Sequence, residues 1–527
     1  MTIIRHPHRS RIAQTVLPSA IIFCMVLAGT SHAQRKTTQD EPGRKDESSS
    51  PREKPSYQDF PDTQLGRQLS EHLSYLAGVG RDAEQKYQAS LKRLQEHAPE
   101  VVRMLADAYP KIQLDRYFRR WSIVETMREM RNNSAVNSLK QIAFSPIPAE
   151  RWADPERFSR DKEISIRVTA VRGLSELARE GNKVAEQSLL RLITNKELGI
   201  RRQAIRGYLG AGQDQKQRTN ELKSRLPKSD YGLITLDVTD VKRVPHPDDV
   251  PDNLKPRYRQ KDDDPPKALT SRISSTASER LFQKVSLTEP KMSMSHAPPN
   301  PDTCTWMPGD NNESGDNFYG AFTCDQVYVD QFWDHFDFDR GDWDDGFGYE
   351  APCDLARPLA RTFNALYLLA YSAEDYATST GDFSGNALRW AYPYAATYID
   401  ELDGRCGSGS ATSGARATTY SGAFVDDRTV LKWPFFYGEV VVERAGTILH
   451  ESRHAAGKGH NGGSSCPRTT SCDTNWSYKG ANMYQVLYLW WFYVDGTRTT
   501  TGMRNYAQQE GQRIIDRGFV TNPGYVI

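Results

Sequence analysis

Eleven residues, at positions 450–460 with the sequence HESRHAAGKGH, constrain this chain more than any other segment. They contain three of the 11 histidines found in 527 residues. The segment that leads into them, GEVVVERAGTILHESRHAAG, has one apolar helical face and no proline, which predicts an α-helix. His450 and His454 are then one turn apart and project from the same side of that helix. Gly457 suits a left-handed turn that ends the helix and lets the chain return with His460.

Three imidazoles that converge in this way predict a zinc site, because zinc takes histidine nitrogens as ligands at about 2 Å. Three protein ligands leave the fourth tetrahedral position to water, which is typical of a catalytic rather than a structural zinc. Glu451 lies beside the metal and is placed to hold and deprotonate the zinc-bound water. The sequence therefore predicts metal ligands at His450, His454 and His460, a general base at Glu451 and hydrolytic chemistry.

HESRHAAGKGH resembles the HExxHxxGxxH motif of the metzincin zinc metallopeptidases, and the resemblance covers only these eleven residues. It implies Zn²⁺ as the cofactor, Glu451 as the general base and peptide-bond hydrolysis. Metzincins also carry a methionine in a tight turn below the metal, and Met483 is similar to that residue. The alternative is a core methionine at the start of the apolar segment MYQVLYLWWFYV. Some metzincins have a tyrosine ligand two residues after the methionine, but Gln485 stands there in this chain.

The resemblance also implies a mostly parallel sheet before the zinc helix, with an edge strand that pairs with the substrate. The segments 353–377 and 386–401 predict helices instead, and only the segments 418–425 and 325–329 have the composition of strands. We therefore interpret residues 302–527 as a zinc metallohydrolase domain with a helix-rich α+β, zincin-like fold stabilised by disulfides.

The N-terminus predicts export. Arginines precede an apolar run at residues 16–29, and Ser31 and Ala33 supply the small residues of a cleavage site, so residues 1–33 are predicted to be a secretory signal peptide. The run is shorter than the roughly 20 residues of a membrane span, although an uncleaved anchor is the alternative. No later segment is apolar enough to span a membrane. The mature protein is expected to be soluble and periplasmic or extracellular, and a formal charge of +1 gives no indication of nucleic acid binding.

The cysteines fit an exported protein. One of the seven, Cys24, lies in the predicted signal peptide, and the other six all follow residue 300. An even number in an oxidising compartment predicts three disulfides. Six cysteines allow 15 pairings, of which we expect the one that joins sequence neighbours: Cys304–Cys324, Cys353–Cys406 and Cys466–Cys472. Cysteine as a metal ligand is the alternative, but the sequence contains no CxxC pair.

Residues 60–226 predict helices, because apolar residues recur at three- and four-residue spacing. The segments IRVTAVRGL, from Ile166, and IRRQAIRGY, from Ile200, share five of nine positions at an offset of 34 residues. A looser copy begins at Arg120. Paired helices with this period resemble HEAT-type repeats, which implies an α-solenoid-like domain that binds a protein partner. An ordinary helical bundle is the alternative.

The remaining segments divide the chain. Residues 34–59 are charged and rich in Ser and Pro, which predicts a disordered spacer. Residues 227–301 are expected to form a linker with one short strand at residues 232–238. Residues 301–350 contain 13 acidic residues and one basic residue, which indicates an acidic solvated loop or, alternatively, a Ca²⁺ site. The EF-hand pattern fails, because its third position counted from Asp337 falls on Gly341.

Three functions follow from these features of a mainly α chain. The leading prediction is an exported zinc-dependent endopeptidase acting on a protein or peptide substrate. A zinc amidase acting on cell-wall peptides is the second. A binding scaffold is the third, in which the helical repeats carry the function and the zinc site is inactive.

Overall fold

Helices make up most of the residues that the computed structural model describes. Residues from Pro55 to Ile527 form one unit, of which the structure describes 59–114, 116–150, 159–247, 296–300, 305–308, 326–344, 346–349, 352, 357–373, 385–405, 417–422, 425–467 and 471–527. The predicted signal peptide and residues 34–58 of the predicted spacer lie outside these segments, as do the predicted pairs Cys304–Cys324 and Cys353–Cys406.

The predicted helical region consists of helices joined by short connections in the part that the structure describes. Its α-helices in chain order are α1 Gln64–Leu76, α2 Ala83–Gln95, α3 Ala98–Ala108, α4 Tyr117–Glu129, α5 Val136–Phe144, α6 Ser159–Arg179, α7 Lys183–Leu192, α8 Leu198–Gly210 and α9 Gln215–Arg225. Side-chain oxygens of Thr63, Asn182 and Asp214 accept from the free N–H groups at the starts of α1, α7 and α9. These caps explain why the helices begin where they do.

The sequence copies lie on α4, α6 and α8, which pack side by side. Gly173 and Gly207 occupy the same position in the two closest copies. A Cβ atom at Gly207 would overlap Oγ of Ser175, and one at Gly173 would lie 2.8 Å from Cδ1 of Leu139. The repeated glycine therefore lets neighbouring helices, α5 with α6 and α6 with α8, approach closely. The solenoid arrangement and the HEAT-type assignment stay predictions.

The C-terminal half is a second group of helices around a small sheet. Its α-helices are α10 Gln326–Phe336, α11 Pro358–Tyr371, α12 Ala387–Tyr398, α13 Trp433–Gly438, α14 Val441–Ala455, α15 Ala481–Asp495 and α16 Thr501–Arg517. Its strands are β1 His296–Asn300, β2 Thr305–Pro308, β3 Glu401–Gly404, β4 Ala417–Gly422 and β5 Val425–Leu431. The strands β1 and β2 pair antiparallel. The other three form a sheet of order β3-β5-β4, in which β3 and β5 are parallel and β4 and β5 antiparallel.

Helix α14 carries the histidine motif and lies at the centre of this half, in contact with α11, α12, α15 and β4. Ile448 and Leu449 are fully buried, and burial of an Ile or Leu side chain stabilises a fold by about 1.5–3 kcal/mol. At the start of the helix, Oε2 of Glu443 accepts from the backbone N of Val440 at 3.2 Å. The histidines are therefore presented by a helix fixed at its start and along its length.

Two predicted strands are wrong. Residues 326–329, expected to be extended, lie in α10, because Val329, Phe332 and Phe336 recur at helical spacing and all three are fully buried. Of the short strand expected at 232–238, residues 232–234 end a 3₁₀ helix, Lys228–Ile234, and residues 235–238 form no strand. This helix contains Ser, Asp and Gly, which favour turns over strands.

The described part of the predicted linker packs against the C-terminal half. The backbone N of Thr239 donates to the carbonyl of Val526 at 2.8 Å, and Nε1 of Trp476 donates to the carbonyl of Pro245 at 2.9 Å. Within the described segments, the structure contains no helix that is both long and apolar enough to cross a membrane.

Candidate metal centre

The three predicted ligands meet at one point. His450 and His454 lie on successive turns of α14, and their Nε2 atoms are 3.2 Å apart. Gly457 has φ of +83°, the left-handed conformation that the sequence predicts. The turn brings His460 back, so that its ring centroid lies 5.2 Å from that of His450 and 4.7 Å from that of His454. One ligand atom from each ring lies within 4.8 Å of the other two, so the triad can hold a metal ion.

Each ring of the triad is held through Nδ1. The donor and acceptor pairs are His450 with Oε1 of Gln485 at 3.2 Å, His454 with the carbonyl of Lys458 at 2.7 Å and His460 with Oδ1 of Asp473 at 2.9 Å. Because these oxygens can only accept, each Nδ1 carries the proton and each Nε2 of a neutral ring carries a lone pair. Such contacts to the far nitrogen are typical of metal-binding histidines.

The donor set fits zinc. Two ligands at 2.0–2.1 Å from a tetrahedral ion are roughly 3.3 Å apart, and the Nε2 atoms of His450 and His454 are separated by 3.2 Å. At this distance two nitrogen lone pairs repel each other, and a cation between them removes the repulsion. Three neutral nitrogens with no thiolate are the ligands of a zinc site that keeps a position open.

Asp473 was missed by the sequence analysis and is the best-fixed support of the site. Its carboxylate is fully buried, and Oδ2 accepts from the backbone N of Asn482 at the start of α15 at 3.1 Å. The disulfide Cys466–Cys472, which the sequence predicts, ends at the preceding residue. Gly480 leaves room for the carboxylate, because a Cβ there would lie 2.5 Å from Cγ of Asp473. The disulfide and α15 together fix the acceptor that orients His460.

Glu451, the predicted general base, has its carboxylate fixed by a strand. Its side chain is 3% exposed, and Oε2 accepts from Oγ1 of Thr419 at 2.8 Å. Thr419 lies on β4 and also contacts Oγ1 of Thr429 on β5 at 2.9 Å. The sequence predicts a strand here, but no sequence signal places it against a helix that begins 22 residues later.

Met483 lies in the first turn of α15 and is buried, which fits the alternative of a core methionine at a helix start. Gln485, on the same helix, contacts His450 of the triad. In the sequence analysis, this position was considered only because a tyrosine is missing from it.

Arg453 joins α14 to α12 and to the segment that leads into α15. Its Nη1 donates to the hydroxyl of Tyr394 at 2.8 Å, and its Nε donates to the carbonyl of Lys479 at 2.9 Å.

A second group of possible ligands lies at the predicted acidic segment. One carboxylate oxygen from each of Asp342, Glu401 and Asp403 lies within 4.8 Å of the others. Burial and the neighbouring Asp403 carboxylate raise the pKa of Glu401 to about 8. Nη2 of Arg405 lies 3.1 Å from Oδ1 of Asp342, so an arginine already supplies positive charge to this cluster. Asp337 and Gly341 do not belong to it, and calcium binding stays a prediction.

Comparison with known protein families, with curated proteins and with solved structures finds no match to this chain. The function therefore has to be argued from the geometry of the triad and its supports.

Proposed function

We propose that the protein is an exported zinc-dependent endopeptidase. The observation that carries the proposal is the combination of a histidine triad with a buried carboxylate, Glu451, that is adjacent in sequence to one of its ligands and held by a separate strand. A zinc ion bound by such a triad polarises the substrate carbonyl and lowers the pKa of water to about 7.

The side chains around the triad divide the remaining work. Glu451 is placed to take a proton from the attacking water and to pass it to the leaving amine. Thr419 holds that carboxylate in position through Oγ1. Gln485 and Asp473 fix the rings of His450 and His460 through Nδ1, so the ligands need no rearrangement when the metal binds.

A polypeptide substrate is supported by the position of β4. This strand lies at the edge of the described three-stranded sheet, and Thr419 within it contacts the general base. A peptide that adds to a sheet edge gains backbone hydrogen bonds in an extended conformation. Such a peptide along β4 would pass the triad, which favours an endopeptidase over an amidase that recognises a short cell-wall peptide.

Export is supported by the disulfide Cys466–Cys472, since disulfides persist in oxidising compartments. A protein partner on the helical region would add to this function, and the repeated helices α6 and α8 are the surface that we expect to bind it.

The experiment compares cleavage of an unfolded protein and of cell-wall peptides by the purified full chain. Metal content is measured alongside, with and without a chelator. Glu451→Gln should keep its metal and lose cleavage, whereas Ser452→Ala on the same helix should keep both. Cleavage of wall peptides alone would favour the amidase, and retained zinc without cleavage of either substrate would favour the scaffold.

A further inference from the structure

A cleft lies where α6, α8 and α16 meet. It encloses about 710 Å³, including the space at its mouth, and none of the triad histidines lines it. Two of these helices belong to the N-terminal helical region, and the third follows the metal centre. The lining contains five arginines but only two aspartates. Ile527 lines the same cleft. If its main chain contributed a carboxylate, the five arginines would still outnumber the negative groups of the lining.

Most of these arginines have carboxylate partners. The pairs are Arg202 with Asp516, Arg513 with Glu510 and Arg517 with Glu197. The first pair is bidentate, with two N···O distances of 2.8 Å. The first and third pairs join α16 to α8 and to Glu197 just before it, whereas the second lies within α16. All three arginines therefore already have a carboxylate partner.

Arg172 and Arg206 differ from the other three. Neither makes a hydrogen bond or an ion pair with any residue in the described segments. Burial lowers the pKa of both guanidinium groups, and the neighbouring cations Arg128 and Arg202 lower it further. A partly buried cation without a hydrogen-bonded anion destabilises a fold, so these two side chains need an explanation.

The two unpaired arginines are placed together by the sequence repeat. They stand at the same position in IRVTAVRGL and IRRQAIRGY, on the adjacent helices α6 and α8. Their neighbouring carboxylates differ: Glu125 and Glu176 lie near Arg172, and Asp237 lies near Arg206, but none of them is hydrogen-bonded to these two arginines. Gln203, one turn before Arg206 on α8, adds an amide to the same lining. The cleft therefore offers a ligand two guanidinium groups, which are planar and permanently charged, and one neutral amide donor.

We propose that this cleft binds a small oxyanion, a carboxylate or a phosphate group, between Arg172 and Arg206. The planar guanidinium fork matches both groups with two parallel N–H···O bonds. An oxyanion would supply a hydrogen-bonded counter-charge in a cleft lined by three helices, where charge-assisted hydrogen bonds are strong. Both arginines belong to the N-terminal helical region, and α16 closes the cleft from the other region.

The test uses the full chain with its metal and two probes, succinate and inorganic phosphate, at fixed ionic strength with chloride as reference. Binding is measured by thermal unfolding and by calorimetric titration. Arg172→Gln and Arg206→Gln remove one unpaired cation each. Arg103→Gln is the control, because Arg103 is exposed on α3 outside the cleft.

We expect a saturable rise in melting temperature with at least one probe, and the probe that gives it identifies the group. Each cleft variant should lose affinity by about tenfold or more, the value of one charge-assisted hydrogen bond, and Arg103→Gln should bind as the wild type does. Without a probe, the cleft variants should melt at nearly the same temperature as the wild type, because they remove no hydrogen-bonded ion pair. No saturable rise over chloride with either probe, or full binding in both cleft variants, would overturn the proposal.

Discussion

Replacement of Asp473 by asparagine tests whether this carboxylate supports the metal site or only the fold. The aspartate accepts two hydrogen bonds, one on Oδ1 from Nδ1 of His460 at 2.9 Å and one on Oδ2 from the backbone N of Asn482 at 3.1 Å. Asparagine has one oxygen and one NH₂ group. In either orientation it therefore turns one acceptor into a donor that faces another donor.

The expected loss follows from these two contacts. If the amide oxygen turns to His460, the hydrogen bond to the ring loses its charge-assisted part, which is worth about 1 kcal/mol or more. If it turns to Asn482, the ring loses its acceptor and its orientation. Either loss corresponds to a zinc affinity that is about 10- to 100-fold weaker, the range found for partners of metal-binding histidines.

The assay is a competition titration of zinc against a coloured chelator, combined with thermal unfolding of the metal-free protein. Asp161→Asn is the control, since Asp161 is also buried but lies on α6 away from the triad. It should change stability without changing zinc affinity. A chain with Asp473→Asn that binds zinc as tightly as the wild type, but melts at a lower temperature without metal, would refute the reasoning.

Three further changes test other parts of the structure. Thr419→Val removes the hydroxyl that holds Glu451 at 2.8 Å and should lower kcat about tenfold with zinc content unchanged; an unaltered kcat would mean that the strand does not position the base. Gly457→Ala forces a side chain into φ of +83° and should cost about 1–2 kcal/mol in urea unfolding, whereas Gly459→Ala, which has open space and no positive φ, should cost nothing; equal effects would contradict the left-handed turn. Burial lowers the pKa of His72 to about 3, so its neutral form stabilises the fold above pH 6.5, and this contribution falls as the pH drops towards 3. At pH 5 the loss is about 2 kcal/mol. His72→Gln should flatten the dependence of unfolding free energy on pH in this window, and an unchanged slope would locate the effect elsewhere.

The sequence predicted the triad because its geometry is local. A helical turn separates His450 from His454, and one residue with positive φ determines where His460 arrives. Asp473, Thr419 and Gln485 were not predictable in the same way. They are supplied by segments 13 to 35 residues away from the side chains that they contact, and their positions depend on how a strand and a second helix pack against α14.

The strand wrongly predicted at the start of α10 shows that local composition can also mislead. Tyr328 and Val329 have strand-forming side chains, and a window of five residues is too short to show a period. The longer spacing of Val329, Phe332 and Phe336 gives one buried helical face, and the packing of that face overrides the local preference of the residues. Local composition is therefore a weaker guide in this acidic segment than apolar spacing over two turns.

The two halves of the chain meet at a buried group of charges next to the metal helix. Lys162 on α6 pairs with Glu443, the residue that caps α14, and its Nζ lies 3.0 Å from the hydroxyl of Tyr506 and 3.4 Å from Oε2 of Glu510. Burial and these two carboxylates raise the pKa of Tyr506 well above its usual value, so the phenol stays a neutral donor and Lys162 provides the positive charge. Removal of one partner from a buried ion pair costs about 3–5 kcal/mol. Detachment of α6 would therefore leave Glu443, at the start of the helix that carries His450 and His454, and Glu510 on α16 without this lysine. The helical region thus supports the metal centre through the start of α14.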